Sequence, residues 1–162
     1  MIRMKRKEPL VITILITIML MLTAPLSLHS SSFATNFICT SNPCIGTSHN
    51  ENLTAVCFSS PNGTTVQGND GDDIVNGSVC NDNIFGNKGN DVIIGNEGLD
   101  NMTGGSGNDI IDASQNDNAT DILSGGSGND TFKCFTHLLD HAVDYKPGKD
   151  SISGDCGLSA PR

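Results

Sequence analysis

Acidic side chains recur at one position of a nine-residue unit that runs through most of the chain. Written G-G-x-G-x-D-x-U-x, with U a large apolar residue, the unit places at position 6 Glu51, Thr64, Asp73, Asp82, Asp91, Asp100, Asp109, Asp121 and Asp130. Carboxylates beside glycine-rich backbone offer oxygen ligands, which suit the flexible coordination of Ca²⁺ better than the strict octahedron of Mg²⁺. The pattern therefore predicts calcium binding, with binding and folding as one event.

Position 8 of the unit is apolar in every copy. These residues are Leu53, Val66, Val75, Ile84, Ile93, Met102, Ile111, Leu123 and Phe132. A strand points alternate side chains to opposite faces, so only the middle residue of x-U-x faces inward. The turns need positive φ, which Gly adopts at no steric cost and Asn tolerates. Two units then make one coil, and stacked coils form two parallel sheets with the apolar residues between them.

The predicted fold is therefore all-β: a parallel β-roll, a two-sheet solenoid of nonapeptide repeats with disulfide-stapled ends. Odd-numbered units form one edge, which we call the odd edge (Glu51, Asp73, Asp91, Asp109, Asp130), and the others form the even edge (Thr64, Asp82, Asp100, Asp121). Two insertions, Ala55–Phe58 and Ala113–Gln115, are expected in loops between strands, as solenoids allow. After Phe132 the pattern returns only as a fragment, with Asp150 and Ile152 at positions 6 and 8.

Four segments are predicted: a secretory signal peptide (1–34), an N-terminal cap with degenerate repeats and cysteines (35–67), the calcium-binding roll (68–133) and a C-terminal cap (134–162). Residues 1–9 are basic, Leu10–Leu22 is mostly apolar, and a small-x-small ending follows at Ser32–Ala34. An uncleaved anchor is the alternative, although the apolar run is short for a bilayer span of about 20 residues. Either reading predicts a body that is secreted or at the cell surface.

All six cysteines follow the signal segment, and an even count in an exported chain favours disulfides. Several pairings are open to them. Our working pairs are Cys39–Cys44, Cys57–Cys80 and Cys134–Cys156. A zinc site is the rival interpretation, but the chain has no C-x-x-C pair.

The charge of the chain excludes one class of partner. The net charge is −9, and after residue 34 it becomes −12, with five Lys and Arg against 17 Asp and Glu. Such a surface repels phosphate backbones, so we expect no nucleic-acid partner. We also expect no membrane contact after signal removal. The expected partners are calcium ions and, at the cell surface, cell-surface or matrix components.

The three most regular units, Gly86–Ile94, Gly104–Asp112 and Gly125–Lys133, resemble the hemolysin-type calcium-binding nonapeptide of RTX (repeats-in-toxin) proteins. Val143–Ile152 is similar to the short region that often follows such arrays. The resemblance implies a parallel β-roll with several Ca²⁺ ions held between turns two units apart. It also implies that the earlier turn gives the carbonyls of positions 2 and 4, the later turn those of positions 1 and 3, and each its position-6 Asp.

Carried over residue by residue, the resemblance implies three odd-edge sites: Asn69, Gly71 and Asp73 with Gly86, Lys88 and Asp91; Asn87, Gly89 and Asp91 with Gly104, Ser106 and Asp109; and Gly105, Gly107 and Asp109 with Gly125, Ser127 and Asp130. The even edge departs from the pattern. Cys80 replaces the position-4 Gly of the site between Asp82 and Asp100, and the next turn lacks Gly. One well-filled and one partly filled edge are expected.

No catalytic constellation stands out, so the expected function is a non-enzymatic, structural or adhesive calcium-binding protein. His137 and His141 are spaced i, i+4 and would share a metal on a helix; the alternative is a short cap that packs Leu138 and Leu139 over the last coil. Two other functions stay open. One is a small secreted hydrolase that uses these histidines, and the other is an accessory or secretion module of a larger RTX-type enzyme or toxin.

Overall fold

A computed structural model describes residues 35–57, 62–115, 117–135 and 140–158. The predicted signal segment, Phe58 of the first insertion, His137, Leu138 and Leu139 lie outside the described residues. Every regular element within those ranges is a β-strand, and none of them holds a helix long and apolar enough to cross a bilayer.

The strands alternate between two parallel sheets of 7 strands each. One sheet contains, in spatial order, β1 (Thr35–Ile38), β3 (Glu51–Thr54), β5 (Ile74–Asn76), β7 (Val92–Ile94), β9 (Ile110–Ala113), β11 (Thr131–Cys134) and β13 (Ser151–Ser153). The other contains β2 (Cys44–Ile45), β4 (Asn62–Asp70), β6 (Asn81–Lys88), β8 (Asn101–Ser106), β10 (Ile122–Ser127), β12 (His141–Ala142) and β14 (Gly157–Leu158). The predicted two-sheet β-roll is confirmed.

The register follows the repeat. Val75 pairs with Ile93, and Ile93 pairs with Ile111, so equivalent positions of successive coils stack directly. Ile111 then pairs with Phe132, because the extra residues after β9 bulge out of the coil without shifting the strand. Of that second insertion, Ala113 is the last residue of β9, and the chain leaves the sheet only at Ser114.

The apolar core is one file of side chains between the sheets. All nine position-8 residues are buried with 1% exposure or none: Leu53, Val66, Val75, Ile84, Ile93, Met102, Ile111, Leu123 and Phe132. Their sequence neighbours on each strand face outward; Ile74, for example, is 42% exposed. The alternation of the unit therefore fixes which face of each strand is buried.

Disulfides close both ends and one turn of the roll. The three bonds are Cys39–Cys44, Cys57–Cys80 and Cys134–Cys156, which are the expected pairs. Cys44 occupies the inward position of β2, opposite Val66, so the first bond covers the N-terminal end of the core. Cys134 ends β11 and is bonded to Cys156, and both contact the core near its C-terminal end.

The array is longer than the sequence pattern predicts. Strand β12 follows Asp140 and places Ala142 inside, fully buried, opposite Leu123. The pattern missed this unit because Ala is small and no Gly-rich turn precedes Asp140. The same strand corrects the helical reading of the histidines, since His141 lies exposed on an extended strand.

The inward and outward faces give a matched test of this core. Ile93→Ala removes a fully buried side chain and is expected to lower the free energy of unfolding by about 2–5 kcal/mol. Ile74→Ala, on the neighbouring strand, truncates a half-exposed isoleucine and is expected to cost about 1 kcal/mol or less. Urea unfolding in saturating calcium measures both. Equal costs would contradict the assigned faces.

Candidate metal centre

The position-6 side chains form two stacked rows at the turns, one along each edge of the roll. The odd-edge row is Glu51, Asp73, Asp91, Asp109, Asp130 and Asp150, and the even-edge row is Thr64, Asp82, Asp100, Asp121 and Asp140. Each of these side chains is buried. The division into odd and even turns agrees with the sequence register, to which the structure adds Asp140.

A hydrogen bond between coils fixes one oxygen of each aspartate in the two rows. The backbone N–H of Asp73 donates to Oδ1 of Asp91 at 2.8 Å, and that of Asp91 donates to Oδ1 of Asp109 at 2.9 Å. On the even edge, the N–H of Asp82 donates to Oδ1 of Asp100 at 2.7 Å. Each carboxylate is thus held by the coil before it, which orients its second oxygen into the turn.

That second oxygen has no hydrogen-bond partner in five of the aspartates. They are Asp73, Asp91, Asp100, Asp109 and Asp130, whose Oδ2 atoms are also shielded from solvent. A buried polar atom without a partner costs about 1–3 kcal/mol, and more when it is charged. Five such atoms in equivalent positions fit the ligand set of a cation better than they fit a packing defect.

Glycine at position 1 makes room beside this oxygen. A Cβ on Gly86 would overlap Oδ2 of Asp91 and would stand 2.7 Å from the carbonyl oxygen of Gly104. A Cβ on Gly68 would overlap Oδ2 of Asp73 in the same way. Only a residue without a side chain leaves this space to a carboxylate oxygen and a carbonyl oxygen, which are ligands that calcium prefers.

A second ladder, on the exposed side of the turns, accounts for the many asparagines at position 5. The N–H of Asn90 donates to Oδ1 of Asp72 at 2.7 Å, and the N–H of Asn108 donates to Oδ1 of Asn90 at 2.9 Å. Asn129 continues the ladder with its N–H on Asn108. Position 5 thus ties the turns together from outside, and position 6 does so from inside.

The carbonyls that the resemblance implies as ligands lie in these same turns. Those of position 3, in Lys88, Ser106 and Ser127, accept the N–H groups of Gly71, Gly89 and Gly107 at 2.8–2.9 Å. A carbonyl oxygen has a second lone pair, so these bonds leave it able to bind a cation. Across the described ranges, no group of three or more His, Cys, Asp or Glu side chains gathers around one point. A cation would therefore draw on two carboxylates and on backbone carbonyls.

The even edge offers fewer free oxygens. Oδ2 of Asp82 accepts the N–H of Ser78 at 2.6 Å and its hydroxyl at 2.8 Å, while Oδ1 accepts the N–H of Thr64. Both oxygens of Asp82 are therefore occupied, whereas Asp100 keeps a free Oδ2. The turn before Asp121 lacks glycine, and Asp117 within it accepts the N–H of Gly98. The geometry thus concentrates free carboxylate oxygens on the odd edge.

Crowding of buried carboxylates raises their pKa values. Burial raises the pKa of Asp91 to about 7 and that of Asp100 to about 8, and the neighbouring carboxylates of each row add to the effect. Burial likewise raises the pKa of Asp109 to about 6 and that of Asp121 to about 7. The hydrogen bond from the preceding coil lowers each pKa, but the net shift stays upward. These four carboxylates therefore resist ionisation unless a cation compensates their charge.

Comparison with known proteins identifies the repeat. A family model for the RTX calcium-binding nonapeptide repeat (4 copies) matches residues 63–93, 81–111 and 116–133. These matches cover all four turns of the predicted odd-edge sites, which end at Asp73, Asp91, Asp109 and Asp130. Searches of characterised proteins and of solved structures give no significant match.

The raised pKa values predict how the calcium-stripped protein responds to pH. An Asp whose pKa is higher in the folded state binds more protons when folded, so its contribution favours folding in acid. This contribution is fully present below the unfolded pKa of about 4 and is lost as pH rises through about 6–8. We expect the β-signal of the stripped protein in circular dichroism, at one fixed temperature, to fall from about pH 5 to about pH 8. A β-signal that rises over this range would contradict the assignment.

Asp91 lies between two predicted odd-edge sites and gives a test of the asymmetry between edges. Asp91→Asn keeps an oxygen for the N–H of Asp73 but removes the charge, and we expect it to lose more bound calcium than Asp121→Asn. Equilibrium dialysis at saturating calcium measures the ions bound per chain. Equal losses in the two variants would contradict the asymmetry.

Proposed function

We propose that this chain, whose residues 63–111 and 116–133 match the model of the RTX calcium-binding nonapeptide repeat, is an exported protein whose β-roll folds when it binds calcium. Its role is structural or adhesive, outside the cell or at the cell surface. The observation that carries the proposal is the set of five buried Asp Oδ2 atoms without a hydrogen-bond partner.

Three odd-edge sites have a free carboxylate oxygen on both sides. They lie between Asp73 and Asp91, between Asp91 and Asp109, and between Asp109 and Asp130. We assign to them the carbonyls implied by the family pattern: Asn69, Gly71, Gly86 and Lys88 in the first, Asn87, Gly89, Gly104 and Ser106 in the second, and Gly105, Gly107, Gly125 and Ser127 in the third. Asp82 and Asp100 form the weaker, even-edge candidate.

Calcium bound at these places supplies the positive charge that lets neighbouring carboxylates ionise while buried. The chain's own groups do the rest. The inter-coil N–H bonds aim each carboxylate, and the position-1 glycines keep side chains out of the space beside it. Because the ligands come from turns two units apart, binding joins successive coils, which is why folding and binding are coupled.

Two features support export. Three disulfides lie within the described residues, and such bonds persist in oxidising, extracellular environments. The predicted signal segment at residues 1–34 agrees with this. Extracellular calcium modules typically bind at about 10⁻⁴–10⁻³ M, which suits an ion that serves as a structural staple outside the cell.

The hydrolase alternative gains no support from the described residues. His141 is exposed on β12, with its ring beside Gly157 at the C-terminal end of the roll, and His137 lies outside the described ranges. A module that serves a larger RTX-type enzyme or toxin would use the same calcium chemistry. Assays of the purified protein against ester and peptide substrates distinguish an enzyme from a binding module.

Calcium titration tests the coupling of binding and folding. In excess chelator we expect the disulfide-bonded protein to lack most of its β-signal in circular dichroism, and to gain it with a midpoint at about 10⁻⁴–10⁻³ M Ca²⁺. The same concentration of Mg²⁺ is the control, and we expect it to restore little structure. Complete β-structure in chelator would overturn the proposal.

A further inference from the structure

Eight acidic turns of the roll are of two kinds, which we call open and closed. In open turns, Oδ2 of the position-6 aspartate has no donor; these are the turns of Asp73, Asp91, Asp100, Asp109 and Asp130. In closed turns, the backbone N–H of position 2, four residues earlier, donates to the second oxygen. Thr47 donates to Glu51 at 2.9 Å, Ser78 to Asp82 at 2.6 Å, and Lys146 to Asp150 at 2.8 Å. Closed turns thus satisfy their own carboxylate.

Backbone conformation at position 2 separates the two kinds. In each open turn this residue has a positive φ: Asn69 (81°), Asn87 (82°), Asn96 (71°), Gly105 (120°) and Gly126 (92°). Thr47, Ser78 and Lys146 are not among the residues with positive φ. The sign of φ sets the orientation of the peptide group before it, and hence of the N–H that reaches the carboxylate. Gly and Asn tolerate the left-handed region, whereas a β-branched or long side chain disfavours it.

Position 4 does not make the difference. Gly148 occupies position 4 of the closed turn at Asp150, yet it has a positive φ of 81°, as position 4 of the open turns does. The turn is closed all the same, because Lys146 at position 2 directs its N–H to Asp150. Pro147 reinforces this, since a residue before proline favours extended backbone.

Side-chain nitrogens occupy the boundaries between closed and open turns. The amide of Asn69 donates to the carbonyl of Gly46 at 2.7 Å, and that of Asn96 donates to the carbonyl of Gly77 at 2.9 Å. At the other end of the odd edge, Nζ of Lys146 donates to the carbonyl of Gly126 at 2.5 Å. Protein donors therefore take a carbonyl oxygen at both ends of the odd-edge row of open turns and on one side of the open turn of Asp100.

We propose that the residue at position 2 decides whether a turn of this roll presents its carboxylate to calcium. Gly or Asn there leaves the turn open, and Thr47, Ser78 or Lys146 closes it with the chain's own N–H. This inference rests on the proposed calcium function and deepens it, because it assigns where binding starts and stops. On the odd edge, four open turns lie between two closed ones, so three sites have a free carboxylate oxygen on both sides.

Substitutions at position 2 test the rule with graded results. Asn69→Thr closes the turn of Asp73, which serves one odd-edge site, and we expect one calcium ion fewer per chain. Asn87→Thr closes the turn of Asp91, which serves two sites, and we expect two fewer. Asn69→Gly and Asn87→Gly are the matched comparisons, since they remove the same amide but keep the positive φ, and each is expected to bind more calcium ions per chain than the Thr variant at the same position.

The stability of the same variants separates a closed turn from simple damage. A closed turn satisfies its own carboxylate, so the calcium-stripped Thr variants should keep more β-signal in circular dichroism than the stripped unsubstituted protein does. In saturating calcium they should unfold at a lower temperature than that protein. Strain or misfolding would lower the β-signal in chelator as well as the thermal midpoint in calcium, and that result overturns the inference.

Equilibrium dialysis with metal analysis and thermal unfolding by circular dichroism, on the disulfide-bonded protein, provide both readouts. Thr variants that keep the full calcium content also overturn the inference while leaving the proposed function intact. An unsubstituted protein that binds no calcium overturns the proposed function itself. The two failures are therefore distinguishable in one series of measurements.

Discussion

A buried carboxylate with one satisfied oxygen is the constraint on which this fold depends. The inter-coil hydrogen bond that holds Oδ1 is part of what stacks the coils, as between Asp73 and Asp91. The same bond brings acidic side chains into a row, where burial and then the neighbouring carboxylates raise the pKa of Asp91. The stacking that builds the roll thus buries carboxylates close to one another, and the cost of that burial must be compensated. Burial of apolar side chains does not compensate it, because the core is only one side chain wide.

Along the odd edge, the buried carboxylates are compensated in two ways. In the middle of the odd edge, position 2 is glycine or asparagine with a positive φ, so its N–H does not bond the Asp carboxylate, and Oδ2 is free to bind an ion. At its ends, Thr47 and Lys146 supply those bonds, and the disulfides at Cys39–Cys44 and Cys134–Cys156 close the core nearby. The ends of the odd edge are therefore stabilised by the chain's own hydrogen bonds and disulfides, and its middle is stabilised by calcium ions from the solvent.

Much of this arrangement follows from periodicity in the sequence. An apolar residue two places after each Asp predicts the buried file, and the parity of the units predicts which aspartates share an edge. Both hold because the coil has no freedom to change register without exposing Ile93 or Ile111. The cysteine pairs do not follow from periodicity, because the sequence leaves several pairings open to the six cysteines. The repeat pattern did not predict the unit at Asp140, because Ala142 is too small to be recognised as a core residue and irregular sequence precedes it.

The distinction between open and closed turns is harder to read from sequence. Asp82 and Asp91 occupy equivalent positions in the repeat, yet the second oxygen of one is satisfied by Ser78 and that of the other is not. The difference lies in the φ angle of a residue four places earlier, and residue type only biases that angle. A motif scored by its position-4 Gly and position-6 Asp also counts the closed turn of Asp150, which has Gly148, with the open turns. The three-dimensional hydrogen-bond pattern is needed to tell them apart.

Strict stacking at intervals of 18 residues, as from Asp73 to Asp91 and Asp109, also bears on how such a chain can change in length. An in-frame tandem duplication of one coil from the middle adds one strand to each sheet and one turn to each edge. Each duplicated residue then stacks on an equivalent residue of the next coil, as the original residue does. The terminal turns and their disulfides are untouched. Evolution can therefore lengthen this protein by whole coils without redesigning its ends.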